Sequence, residues 1–153
     1  MKPAVLLDTT PLGLLTQRAG VPQADACRRW LASLQQAGHR VLVPEMADYE
    51  VRRELLRAGN TLAVQRLDAF LAADPDAYLP LSTAVMRHAA LLWAQARQQG
   101  RPTAPDPALD GDVILAAQAL SVSAVPGEVV VATANPGHLS RFVAAERWED
   151  IRP

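Results

Sequence analysis

Side chains with oxygen or imidazole donors stand near apolar runs at four well-separated points of the chain. Asp8 follows Ala4-Val5-Leu6-Leu7, Glu50 lies in the segment after the apolar stretch 40–43, Asp110 and Asp112 precede the apolar run 113–120, and Asn135 and His138 follow the run 128–133. Carboxylates that converge repel one another, and that repulsion raises at least one pKa unless a cation neutralises it. Oxygen donors with neither a histidine nor a cysteine cluster suit Mg²⁺ or Mn²⁺ rather than zinc. Such an ion stabilises the charge that grows on a phosphate during in-line displacement, so phosphodiester hydrolysis is the natural reaction. No protein nucleophile is then needed.

These groups meet only if the intervening elements bring them together. The run 4–7 reads as a strand stopped by Asp8-Thr9-Thr10-Pro11, followed by a turn. Residues 23–37 carry Ala26, Trp30, Leu31 and Leu34 at helical spacing before Gly38. A buried strand is predicted over 40–43 and a helix over 44–57 with Val51, Leu55 and Ala58 on one stripe. A further helix over 62–72 turns Leu62, Leu67, Phe70 and Leu71 inward. A short strand at 78–81 precedes Ser82, which caps a helix carrying Val85, Ala89, Leu92 and Ala96. Residues 101–107 hold three prolines and read as a stiff loop, Asp110 caps a helix over 113–120, residues 128–133 form a strand, and a short helix spans 139–143. Strands alternating with helices predict one α/β domain over 1–153, a three-layer α/β/α sandwich around a mainly parallel sheet. Right-handed crossovers put the strand carboxyl ends on one edge, where ligands bind in such sheets.

Composition narrows the possibilities. At 153 residues, 50% hydrophobic and 20% charged, the chain has the balance of a soluble globular protein, and it has no apolar run near the roughly 18 residues that cross a bilayer. The apolar stretch near Met1 is too short for a signal peptide, and Cys27 is the lone cysteine, so a cytoplasmic location is expected. The net charge of −1 gives no general attraction for polyanions, and with 3 Trp, 2 Tyr and 2 Phe a binding surface built on base stacking is disfavoured. The motifs GxxxxGK[ST], GxGxxG and GxSxG are absent.

In one respect the residues go further. The opening Val5-Leu6-Leu7-Asp8-Thr9-Thr10-Pro11 resembles the first motif of the PIN domain. Glu50 within Ala47-Asp48-Tyr49-Glu50-Val51 resembles its second acid, and Asp112 in Asp112-Val113-Ile114-Leu115-Ala116-Ala117 its third. The last motif is matched by Thr133-Ala134-Asn135-Pro136-Gly137-His138, with His138 where most members carry a fourth aspartate. The resemblance spans nearly the whole chain and is to the VapC-type ribonucleases. It implies a metal-dependent endoribonuclease, the toxin of a type II toxin–antitoxin pair, often a homodimer and silenced by a small cognate antitoxin. By it, Asp8, Glu50 and Asp112 are the catalytic and metal-binding acids, Asp110 is a possible additional ligand, and Thr9, Thr133, Asn135 and His138 are supporting groups.

Plainer roles compete. Asp8 can cap the turn before Pro11, Glu50 can pair with Arg53 or Arg57 on a helix surface, and Asp110 is favoured as an N-cap. Asp112 also suits the positive end of that helix. Thr9 and Thr10 either satisfy the turn or touch a ligand's water, Asn135 before Pro136 is a turn former, and His138 is either a surface residue or a site member. Arg52, Arg53 and Arg57 can grip RNA phosphates or simply form a solvated face. His39, His88, Trp30, Trp93 and Cys27 are read as structural. Two other functions remain open: a PIN-fold binding module weakened at His138, and an aspartyl-phosphate phosphatase with Asp8 as nucleophile. The phosphatase is disfavoured because Thr10 stands where a second aspartate is wanted and Lys2 is the only lysine.

Overall fold

The computed structural model describes residues 2–100 and 106–153. Strands β1 (Ala4–Leu7), β2 (Val41–Pro44), β3 (Tyr78–Leu79), β4 (Val129–Thr133) and β5 (Ala145–Arg147) form one sheet in the order β3-β2-β1-β4-β5, every pair parallel. All four residues of the central strand β1 are buried, as expected where a parallel sheet is covered on both faces.

Alternation along the strands divides the core. Val5, Leu7, Val43, Val130 and Ala132 face the first layer, α1 (Thr9–Leu15), α2 (Pro22–Gln36), α3 (Glu45–Arg57) and α4 (Thr61–Ala73). Ala4, Leu6, Leu42 and Val131 face Leu115 and Ala119 of α6 (Asp106–Val122) and Leu139 of the short α7 (Pro136–Leu139). Helix α5 (Thr83–Gln98) packs behind α6 through Val85, Ala89, Leu92 and Ala96, the stripe its sequence predicts. The arrangement is the expected three-layer sandwich, with a wholly parallel sheet.

Several local expectations are corrected. Helix α1 replaces the turn after Asp8, because Pro11 falls in a first helical turn, where its missing N–H costs nothing. Leu62 is 63% exposed, since the buried stripe of α4 runs through Ala63 and Leu67 with Phe70 and Leu71 packed beside it. Ala58 lies just past α3 and is exposed. The predicted loop 101–107 lies outside the described residues as far as 105. From Asp106 the chain is already helical, so Asp110 sits inside α6 instead of capping it. The short helix forms at Pro136–Leu139 rather than 139–143, and β5, a short and partly polar edge strand, has no clear sequence signal. Cys27, fully buried, has its thiol pushed up to about 12 by desolvation, and His39 Nδ1 lies 2.9 Å from the Pro3 carbonyl. Both are structural, as expected.

Two buried polar groups tie the layers together. Fully buried Gln118 on α6 accepts from Met46 N in the first turn of α3 at 3.1 Å and donates from Nε2 to the Leu79 carbonyl of β3 at 2.8 Å. It thus satisfies one of the helix-start donors that α3 leaves unpaired. Asp48 on α3 accepts from the Tyr78 hydroxyl at 2.7 Å and from Arg52 Nε at 3.1 Å, and Arg52 reaches Asp68 on α4 at 2.8 Å. Replacing Gln118 by leucine would keep the volume but strand both backbone groups. The expected cost is about 1–3 kcal/mol in urea-denaturation stability. An unchanged denaturation midpoint would show that the amide does not bind the layers.

Candidate active site

Strand β1 is where the sheet order changes direction: the chain moves to β2 and β3 on one side and returns to β4 and β5 on the other. Parallel α/β sheets open a crevice beyond the strand ends at such a point. Asp8 leaves the end of β1, continuing the ladder through its N–H to the Ala132 carbonyl at 2.9 Å. Its Oδ1 accepts from Thr9 N at 2.7 Å, capping α1, while its Oδ2 accepts from the buried Thr133 hydroxyl at the end of β4, also at 2.7 Å. Asp8 therefore caps α1, as its plainer role predicts, and does so at the carboxyl end of β1. Asn135 acts through the turn: its N–H donates to Thr133 Oγ1 at 3.2 Å, and its side chain accepts from Gly137 N at 3.3 Å to start α7.

Glu50 projects from the middle of α3. Its Oε2 accepts from Thr9 Oγ1 at 3.0 Å, so a residue of α1 anchors a carboxylate 41 positions away, and Glu50 is not spent on the Arg53 or Arg57 pairing. Arg57 instead bonds Glu54. From the other layer, α6 brings Asp112, whose Oδ2 lies 3.6 Å from His138 Nδ1 on α7.

The charges of Asp8, Glu50 and Asp112 reach one another. Burial is the chief cause that raises the Glu50 pKa above the usual carboxylate range. The Thr9 hydrogen bond opposes it, Asp8 and Asp112 push the pKa further up, and Arg53 pulls it down. Asp112 is also raised, first by burial and then by Asp8, with His138 opposing. Among the described residues, no three His, Cys, Asp or Glu side chains stand at metal-ligand spacing. The acids act on one another through charge, and each is turned toward a protein partner. Three carboxylates without a thiolate, under mutual repulsion, are a donor set whose chemistry fits a hard divalent cation.

Other expected residues fall elsewhere. Asp110, two positions from Asp112 on a helix, points to a different side and lines an exposed groove between α5 and α6 with Met86, Trp93 and Ile114. It neither caps α6 nor joins the acids. Asp112 lies beyond the first turn of α6, where the helix dipole has little effect. Arg52 is held by Asp48 and Asp68 and is not offered to a ligand. Arg53 stacks over Tyr49 at 5.2 Å and is the arginine of the three whose charge acts on Glu50. Beside the acids, a groove of about 610 Å³ runs between α1, α3 and α4, lined by Thr9, Thr10, Arg18, Glu50, Asn60 and Arg66 among others. Sequence reading missed this groove, since Arg18 and Arg66 carry no motif.

Comparison with solved structures bears on the whole arrangement. A chain in the crystal structure of VapBC2 from Rickettsia felis, bound to a DNA fragment from its promoter, superposes with a TM-score of 0.71 at 15% identity, covering 95% of this chain and 98% of that one. For FitAcB from Neisseria gonorrhoeae the TM-score is 0.70 at 22% identity, covering 96% and 99%. The fold is PIN-like. DNA-bound VapBC from Salmonella typhimurium is more distant, with a TM-score of 0.57 at 19% identity over 95% and 98% of the two chains. No family model matches the sequence, and no curated protein does. In this PIN-like fold Asp8 leaves the end of β1, Glu50 lies on α3 after β2 and Asp112 on α6 before β4, and no helix among the described residues is long and apolar enough to cross a membrane.

The raised acids give a stability signature. Glu50 and Asp112 favour folding only while protonated, so that contribution is full below their unfolded pKa and is lost as pH rises through their folded pKa. Glu50→Gln and Asp112→Asn are therefore expected to raise the thermal midpoint of metal-free protein at pH 7, with the gain vanishing near about pH 4. Thermal unfolding across that range checks it, and a gain that persists at low pH would count against repulsion as its source.

Proposed function

We propose that the chain is a metal-dependent endoribonuclease and the toxin of a type II toxin–antitoxin pair. What supports this reading is the electrostatic coupling of Asp8, Glu50 and Asp112 in a PIN-like fold, with Asp8 at the carboxyl end of the central strand. On this reading, the three carboxylates hold Mg²⁺ or Mn²⁺. When bound, such an ion supplies Lewis-acid chemistry, offsetting the negative charge that grows on a phosphodiester during in-line attack by water.

The chain's own residues supply position. Thr133 and the Thr9 N–H fix both oxygens of Asp8, and Thr9 Oγ1 fixes one oxygen of Glu50. Asn135 holds Thr133 through its N–H. His138 Nδ1, 3.6 Å from Asp112 Oδ2, sets an imidazole beside that acid where the PIN resemblance expects a further carboxylate. Arg53, and Arg18 and Arg66 along the neighbouring groove, are the cations within reach of an RNA backbone. The solved relatives are two-component VapBC and FitAB assemblies, some bound to DNA. On that likeness a small antitoxin protein is the proposed partner, with a homodimer as the proposed assembly and the cytoplasm as the proposed compartment.

The test is RNA cleavage by purified protein with Mn²⁺. Asp8→Asn is expected to lower the rate at least about 100-fold, or roughly 2.7 kcal/mol of transition-state stabilisation. Chelator is expected to silence the wild type, and Asp110→Asn, away from the acids, to cleave normally. Cleavage that survives in Asp8→Asn would refute the mechanism. A folded chain that binds no divalent cation and cleaves no RNA would instead establish the weakened binding module. Growth arrest on expression should be relieved by the product of an adjacent small reading frame.

A further inference from the structure

Helix α6 carries a glycine in its interior, immediately before Asp112. Glycine is a poor helix residue, less favourable than alanine on account of its backbone freedom. At Gly20, Gly38, Gly59, Gly100 and Gly127 a positive φ accounts for the choice, whereas Gly111 is helical and the backbone makes no such demand. Its neighbours do. A Cβ at Gly111 would stand 2.8 Å from Glu50 Oε1, closer than real Cβ contacts come, with Met46 Cε at an ordinary 3.6 Å. The other helical glycine of comparable setting, Gly13, would meet only Val51 Cγ2 at 3.9 Å.

The Glu50 carboxylate is thus enclosed from two layers of the fold. On one side Thr9 Oγ1 donates to Oε2 at 3.0 Å, and on the other the bare α6 backbone at Gly111 admits Oε1. We propose that Gly111 is a positioning residue: its missing side chain makes the recess in which Glu50 is held toward Asp112 and Asp8 from the opposite layer. The inference rests on the reading of these acids as a cation site. An added methyl meets the far end of a flexible side chain, which can swing aside, so the fold tolerates it while the carboxylate moves. Groups behind metal ligands commonly change affinity by about 10–100-fold when altered.

The experiment uses the full chain and Mn²⁺ as the probe. Gly111→Ala is expected to keep or raise the metal-free thermal midpoint, since alanine is the better helix former, while Mn²⁺ affinity by calorimetry falls about tenfold or more. The ¹³C carboxyl resonance of Glu50 in metal-free protein should move, a readout independent of any cation. Glu50→Asp, whose shorter side chain withdraws from the recess, should weaken binding alone but add little in the Gly111→Ala background. Two fold-changes that multiply would overturn the assignment, as would Mn²⁺ affinity and Glu50 resonance both unchanged in Gly111→Ala. If Gly111→Ala fails to fold, the Glu50→Asp double variant should restore folding, and continued failure locates the clash elsewhere and overturns it. Wild-type protein that binds no Mn²⁺, with the Glu50 resonance still shifted by Gly111→Ala, overturns the cation reading and leaves the packing contact intact.

Discussion

Holding three partly buried carboxylates near enough to repel one another is the constraint to which much of this structure answers. Burial and neighbouring charge raise Glu50 and Asp112, so the arrangement disfavours the charged forms that neutral pH imposes. Local hydrogen bonds offset part of the cost: Thr133 and the α1 N-terminus at Asp8, and Thr9 at Glu50. The donors come from α1 and β4 and the acids from the end of β1, α3 and α6, so the arrangement exists only when all five elements are assembled.

The rest of the fold reads as the scaffold for that assembly. Alternating apolar residues on β1 and β4 require cover on both faces, and the two layers that provide it bring α3 and α6 to the same crevice. Gln118 bridges α6 to the start of α3 and to β3, and the Asp48–Arg52–Asp68 set locks α3 to α4. These directional polar contacts, of which Gln118 and Asp48 are buried, fix the axial position of α3, on which Glu50 rides. The apolar contacts alone define that position less sharply, because they are not directional.

Likeness of fold at 15–22% identity indicates how tolerant this scaffold is of sequence. A core that is apolar and of the right volume suffices for the architecture, whereas the arrangement of acids depends on individual atoms. Function is therefore argued from Asp8, Glu50 and Asp112 and their partners, not from the sheet that carries them.

Much was legible along the chain itself. Apolar runs marked β1, β2 and β4 and helical spacing marked α2 and α5, because these signals are local and periodic, while Asp8 at a strand end and Glu50 and Asp112 in helical segments were picked out by acid type and motif resemblance. What was not legible depended on distant partners. The separation of Asp110 from Asp112 required the true start of α6, which three prolines concealed, and the edge strand β5 is too short and polar to carry a pattern. The engagement of Arg52 by Asp68, the Thr9 bond to Glu50 across 41 residues and the recess at Gly111 exist only once helices from both layers are packed. Sequence determined which side chains were available and the periodicity of the elements bearing them. Tertiary structure alone decided which of those groups meet, since a hydrogen bond or a steric contact acts over about 3–4 Å, and only packing brings remote residues that close.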